Sequence, residues 1–172
     1  MDEFLYAPWR DIYTKEKQEK NNQDVEKECP FCLQFSQNED EKNLILRRCN
    51  HSVIILNRFP YNKAHILIIP LRHVASIKDL TIDEKLELMH ISGKSVELIK
   101  EIFNFDNFNL GINIGKASGA SICSHLHMHI LPRYLGEAGF QEYLFHAKVV
   151  TFDIKDIYNK MATVFQKADF SV

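Results

Sequence analysis

No stretch of this 172-residue chain approaches the roughly 20 consecutive apolar residues that a membrane-spanning helix requires, so no membrane partner is expected. Nor is there an excess of one charge. Lys and Arg number 21 against 23 Asp and Glu, the formal net charge is −2 and the sequence pI is about 6.4. That balance removes the electrostatic ground for expecting nucleic acid as a main partner. The opening MDEFLYAPWRDIY has neither a basic start nor a long apolar run, so no signal peptide is read and a cytoplasmic protein is expected. The four cysteines, Cys29, Cys32, Cys49 and Cys123, are too sparse for the bridge-dense framework of small secreted domains. A reduced protein is expected, with Cys29 and Cys32 as candidate metal ligands. Internal repeats are also lacking. What is present is an ordinary globular mix, 45% hydrophobic and 26% charged, in a length that suits one domain with a real core.

Residues 1–28 read as an N-terminal arm, 29–135 as the core and 136–172 as a C-terminal extension. The arm carries Phe4, Tyr6, Trp9 and Tyr13 and is joined to the body by the polar, weakly ordered KEKQEKNNQDVEKE at 15–28. SQNEDEKN at 36–43 reads as a second such loop. LILRR (44–48) and SVIILN (52–57) are rich in strand formers, and FPYNK (59–63) is a turn. HILIIP (65–70) is a short apolar run ended by proline, as in a buried strand. The clearest helix spans 81–103. Thr81 and Glu84 form a capping box, and Leu86, Met89, Val96 and Phe103 recur at helical spacing. NFNLGINIG (107–115) and VVTFDI (149–154) read as strands. Ile154, Ile157, Met161, Val164 and Ala168 mark an amphipathic C-terminal helix. Meandering strands around one main helix predict an antiparallel α+β domain.

The segment CSHLHMHILPR, residues 123–133, carries the strongest chemical signal. Read as a strand, it puts His125, His127 and His129 on one face, about 6.5–7 Å apart, and Leu126, Met128 and Ile130 on the other. Imidazoles that close cannot all be protonated cheaply. At least one is expected to be neutral, with a nitrogen able to attack phosphorus or bind metal. The preceding KASGAS at 116–121 is a small-residue loop with approachable backbone N–H groups, as an anion site requires.

The run HLHMHIL resembles the signature of the histidine-triad (HIT) superfamily, and the resemblance extends to ILNRFPYNKAHILIIPLRHV (55–74) and FNLGINIGKASGASICSHLHMHILPR (108–133). LYAPWRDIY and CPFC are similar to the start of the bacterial branch related to diadenosine-tetraphosphate phosphorylases. The resemblance implies a HIT-like fold, with an antiparallel sheet, one main helix and a C-terminal helix, and a homodimer. It implies nucleotidyl transfer through His127, cleaving dinucleoside polyphosphates at the α-phosphate with phosphate or water as acceptor. By the same carry-over His129 contacts the α-phosphate with His65 beside it, Asn57 holds the ribose, and Asn113, Gly119 and Ser121 belong to the phosphate cradle. The chain departs from the common pattern between Gly119 and His125. That loop is one residue longer, and Ala120 stands where a glutamine often follows the glycine.

CxxC at 29–32 offers two metal ligands, and a structural zinc needs about four. The resemblance supplies His73 and His125 as the others. Readings in which His51 replaces one histidine, or in which both cysteines are buried thiols, stay open. Cys49 and Cys123 read as core thiols, and His90 and His146 as ordinary histidines. Three functions compete: a nucleotide-cleaving enzyme, with phosphoramidates as alternative substrates; a non-catalytic nucleotide-binding regulator; and a zinc module whose triad serves only metal.

Overall fold

The computed structural model describes residues 29–137, 144–145 and 152–171. Its elements in chain order are α1 (Pro30–Ser36), β1 (Ile45–Arg48), β2 (Ser52–Leu56), β3 (Ile66–Pro70), α2 (Ile82–Phe103), β4 (Asn107–Ile112), β5 (Met128–Arg133) and α3 (Ile154–Phe165), with short 3₁₀ turns at Ile77–Asp79 and Lys116–Ser118. The five strands form one antiparallel sheet in the order β1-β2-β3-β5-β4. This is the α+β architecture expected.

Both β2 and β3 read as unbroken apolar runs because both of their faces are covered. Ile54, Leu56, Ile66 and Ile68 point into the larger core, with Met128 and Ile130 of β5, beneath α2 and α3. Val53, Ile55, Leu67 and Ile69 point the other way, into a smaller cluster closed by Phe31 of α1. The short helix α1, absent from the sequence expectation, starts with Pro30 in its first turn, where a missing N–H costs nothing. The loop read as weakly ordered at 36–43 is tied down: Arg48 reaches Asp40 and the carbonyls of Phe35 and Gln37.

The capping box on α2 is complete, with Glu84 N–H on the Thr81 hydroxyl and the Glu84 carboxylate on Thr81 N–H. The apolar stripe of the sequence divides: Val96 and Phe103 pack against the larger core, whereas Leu86 and Met89 are 55% and 61% exposed. The fully buried face runs through Glu84, Glu87, Leu88, Ile91, Ser92, Ser95, Leu98 and Ile99, and half of it is polar, so apolar periodicity traces it only in part. Glu84 is buried against Arg72 and Glu87 accepts from His51 N–H. Of the strand expected at 149–154, residues 149–151 lie outside the described residues. Asp153 instead caps α3 by accepting from the N–H groups of Lys155 and Asp156. The arm, its aromatic residues and His146 also lie outside the described residues.

Candidate active site

The chain bends at Ser124 and His125, and β5 begins only at Met128. Ladder pairing with β3 ends at Ile68 opposite Met128. In the same register Leu126 would face Pro70, which has no N–H to offer. Leu126 N–H bonds Val74 O instead, at 2.7 Å. The alternation survives: Leu126, Met128 and Ile130 enter the larger core, and His125, His127 and His129 lie on the α1 side. His127 and His129 have ring centroids 5.0 Å apart, and His65 from the start of β3 is 5.2 Å from His129. Ala64, at φ 60°, turns the chain into β3 just before His65, a left-handed conformation that costs a non-glycine residue roughly 1–2 kcal/mol.

Hydrogen bonds fix the ring tautomers one after another. Tyr61 backbone N–H donates to His65 Nδ1 at 3.1 Å, and Asn57 Nδ2 approaches the same nitrogen at 3.2 Å. Nδ1 of His65 is therefore the acceptor and Nε2 carries the proton. Nε2 lies 3.0 Å from His129 Nδ1, which must accept, so the proton of His129 is on its own Nε2. That N–H is buried and has no partner. On His127, Nδ1 donates to the His125 carbonyl at 2.9 Å, which leaves Nε2 with the lone pair in the neutral ring. Burial first, then the neighbouring histidines, holds His65 down at about 3 and His129 at about 4. Both rings are neutral at physiological pH, as the tautomer chain requires.

His127 and His129 stand on the wall of a cavity of about 400 Å³. Asn113, Gly119, Ala120 and Ser121 line one stretch of it, Asn57, Arg58, Phe59 and Tyr61 another. Pro30, Phe31, Ile55 and Leu67 form an apolar stretch in which Gln34 is the polar side chain contributed by α1. Gly115 and Gly119 have φ of 83° and 88°, the left-handed region that lets the loop turn back over the cavity. Arg58 is the single Lys or Arg among the described lining residues. Three buried side-chain polar atoms among the described residues lack a partner, and two of them, His129 Nε2 and Gln34 Oε1, belong to lining residues. An unsatisfied buried polar group costs roughly 1–3 kcal/mol, so a ligand completing both is favoured.

Of the sequence-expected site residues, Asn57, Asn113, Gly119, Ser121, His127 and His129 line the cavity. His65 does not: it is wholly buried behind His129 and acts on the cavity through that ring. Asn57 is both site and turn residue, since its Oδ1 also accepts from Phe59 N–H. Tyr61, Phe31 and Gln34 were not anticipated. Tyr61 lay in what read only as a turn, yet its ring stacks on His129 at 6.2 Å and lies tilted against His65 at 5.0 Å. Phe31 sits inside the CPFC motif, where the cysteines drew attention, and meets His127 edge-on at 5.4 Å.

The first histidine of the triad belongs elsewhere. Cys29, Cys32, His73 and His125 present ligand atoms that all lie within 4.8 Å of one another. Cys29 Sγ is 3.3 Å and Cys32 Sγ 3.6 Å from His125 Nδ1, and Cys32 Sγ is 3.4 Å from His73 Nδ1. Tetrahedral zinc bonded to sulfur and nitrogen at ordinary lengths sets such S···N edges at about 3.6 Å. His125 Nε2 donates to Pro70 O at 2.8 Å, turning Nδ1 toward the cysteines, as ligating histidines require. The group could therefore hold a metal ion. His51 is not part of it, and the triad is split, one ring to the cluster and two to the cavity. Cys49 packs against the larger core, where burial pushes its thiol up to about 11. Cys123 is half-buried and donates to Ala120 O.

Residues 37–136 match the HIT domain. A Mycobacterium tuberculosis protein named AP-4-A phosphorylase is 34% identical over 161 residues, 92% of this chain and 82% of its own. The asymmetrical bis(5'-nucleosyl)-tetraphosphatase of Schizosaccharomyces pombe is 34% identical over 89 residues, 52% of this chain and 48% of that one. Among solved structures, a Zn-bound histidine triad family protein from Mycobacterium smegmatis superposes with a TM-score of 0.65 at 21% identity, covering 81% of this chain and 94% of that one, which shows a shared fold.

Proposed function

The chain belongs to the histidine-triad (HIT) family, and from that premise we propose that it is an enzyme that cleaves dinucleoside polyphosphates at the α-phosphorus through a nucleotidyl adduct on His127. The single observation that carries the reading is the His127 Nδ1 donation to the His125 carbonyl at 2.9 Å, which makes Nε2 the nucleophilic nitrogen on the cavity wall. In the first step the Nε2 lone pair forms a bond to phosphorus and the bond from phosphorus to the bridging oxygen breaks, with its electrons leaving on the polyphosphate. The adduct ring is cationic, and its Nδ1–H remains on the carbonyl. In the second step an acceptor oxygen attacks, the P–N bond breaks and its electrons return to Nε2, and where the acceptor is water its proton is released to solvent. The unpartnered His129 Nε2–H suits the oxygens of the phosphate in both steps. Phosphate as acceptor gives ADP from a diadenosine substrate, and water gives AMP. The relative named as a phosphorylase, matched over most of both chains, favours phosphate.

Zinc is the metal we assign to Cys29, Cys32, His73 and His125. All four donors are protein atoms, so it would supply structure by tying α1 to the segment before β5. A second copy of this chain is the proposed protein partner. The exposed Ile82, Leu86 and Met89 of α2 and the edge strand β4, with Leu110 outward, offer it an apolar face.

The test is a quenched reaction on diadenosine tetraphosphate labelled at the α-phosphorus, with and without phosphate. Phosphate-dependent ADP is expected, and His127→Ala should lower the rate by roughly 10⁴-fold or more while leaving the circular dichroism spectrum unchanged. Turnover surviving that substitution would refute the adduct.

A further inference from the structure

The proposed nucleotide site leaves open what reads the base. The apolar part of the cavity, Pro30, Phe31, Ile55 and Leu67, fits a flat ring but distinguishes bases poorly, because every base has an apolar face. One group there breaks the pattern. Gln34 follows Phe31 by three positions on α1, so the two share a side of the helix and both reach the cavity. The Gln34 carboxamide oxygen is shielded from solvent and has no hydrogen-bond partner. No main-chain N–H or neighbouring side chain among the described residues completes it, although Asn43, close by on the same wall, is engaged with Gln37.

A carboxamide carries one acceptor and one donor side by side. Adenine presents the complementary pair, an exocyclic N–H beside a ring nitrogen, and glutamine is a side chain that can take both. We infer that Gln34 is a specificity-determining residue of the site, its Oε1 accepting from the exocyclic amine of a bound adenine. The inference rests on the nucleotide reading of the cavity. It asks only that the base lie against the α1 wall.

The test compares equilibrium binding of AMP with that of purine riboside 5'-monophosphate, which lacks the amine and is otherwise the same molecule, by isothermal titration calorimetry. The wild-type chain should bind AMP about tenfold tighter, the usual scale for one buried hydrogen bond. Gln34→Met, which keeps the length and removes both polar atoms, should erase the difference by weakening AMP and leaving the analogue nearly unchanged. Equal binding of the two ligands to the wild-type chain would overturn the inference, and that comparison needs no variant to fold. A tenfold preference that persists in Gln34→Met would overturn it too, assigning the amine to another group. If neither nucleotide binds, the nucleotide reading itself fails and this inference with it.

Discussion

A single carbonyl and a single backbone N–H decide what two imidazoles can do. The His125 carbonyl sets His127, and Tyr61 N–H sets His65 and through it His129. His65 and His129 titrate at about 3 and about 4 in the folded chain, well under the ordinary 6.5. Between those values and 6.5 the unfolded chain binds more protons than the folded one, so stability is full above 6.5 and declines as pH falls through this window. Thermal melts from neutral pH down to about 4 should show that decline, and His65→Gln, which does not titrate, should make it shallower while the share due to His129 persists. A melting temperature indifferent to pH over the window would refute the burial argument. Glu84 and Glu137, held at about 2 by Arg72 and Arg133, add loss only below 4.5 and are separable. That His127 and His129 share one face was legible in the sequence because alternation is built into an extended backbone. The tautomers were not, since that of His129 depends on His65, 64 residues away, and that of His127 on how its ring folds back to the His125 carbonyl.

Among the elements, α2 shows where sequence reading succeeds and where it fails. Its start was legible from Thr81 and Glu84, because a capping box is a local contact four residues long. Its buried face was not, because half of it, Glu84, Glu87, Ser92 and Ser95, is polar; the first three find partners across the fold, and the Ser95 hydroxyl has none among the described residues. Leu86 and Met89 of the apolar stripe, with Ile82 one turn before, remain outside. Such a stripe on a helix beside an edge strand suits a second copy of the chain. Leu86→Glu should shift sedimentation from dimer to monomer, with little change in the melting of the isolated fold. A wild-type chain that sediments as a monomer at every concentration would rule out the pairing. The short α1 escaped notice altogether. Seven residues are too few for a periodic signal, and its role emerges only when Phe31 meets the histidines.

At the scale of the whole molecule, the two faces of the sheet divide the labour. One is sealed by α2 and α3; the other carries the Cys29, Cys32, His73, His125 group, which could hold a metal, and the cavity, joined at His125, whose ring belongs to the first and whose carbonyl holds His127 in the second. The purified protein should contain about one zinc per chain. Removing it with a chelator should lower the melting temperature, and Cys32→Ser should abolish retention of the ion. Protein that carries no metal and melts unchanged on adding zinc would refute the assignment. The four clustered side chains could be named from CxxC, from LRHV and from the family resemblance, although three separate segments bring them together. The unsatisfied Gln34 could not be named, because an orphaned atom is defined by what surrounds it. Taken together, the lone donor on β5 and the lone acceptor on α1 give the cavity a polarity of its own. A ligand with an acceptor at one end and a donor at the other would then fit one way round, since reversal sets like against like at both walls.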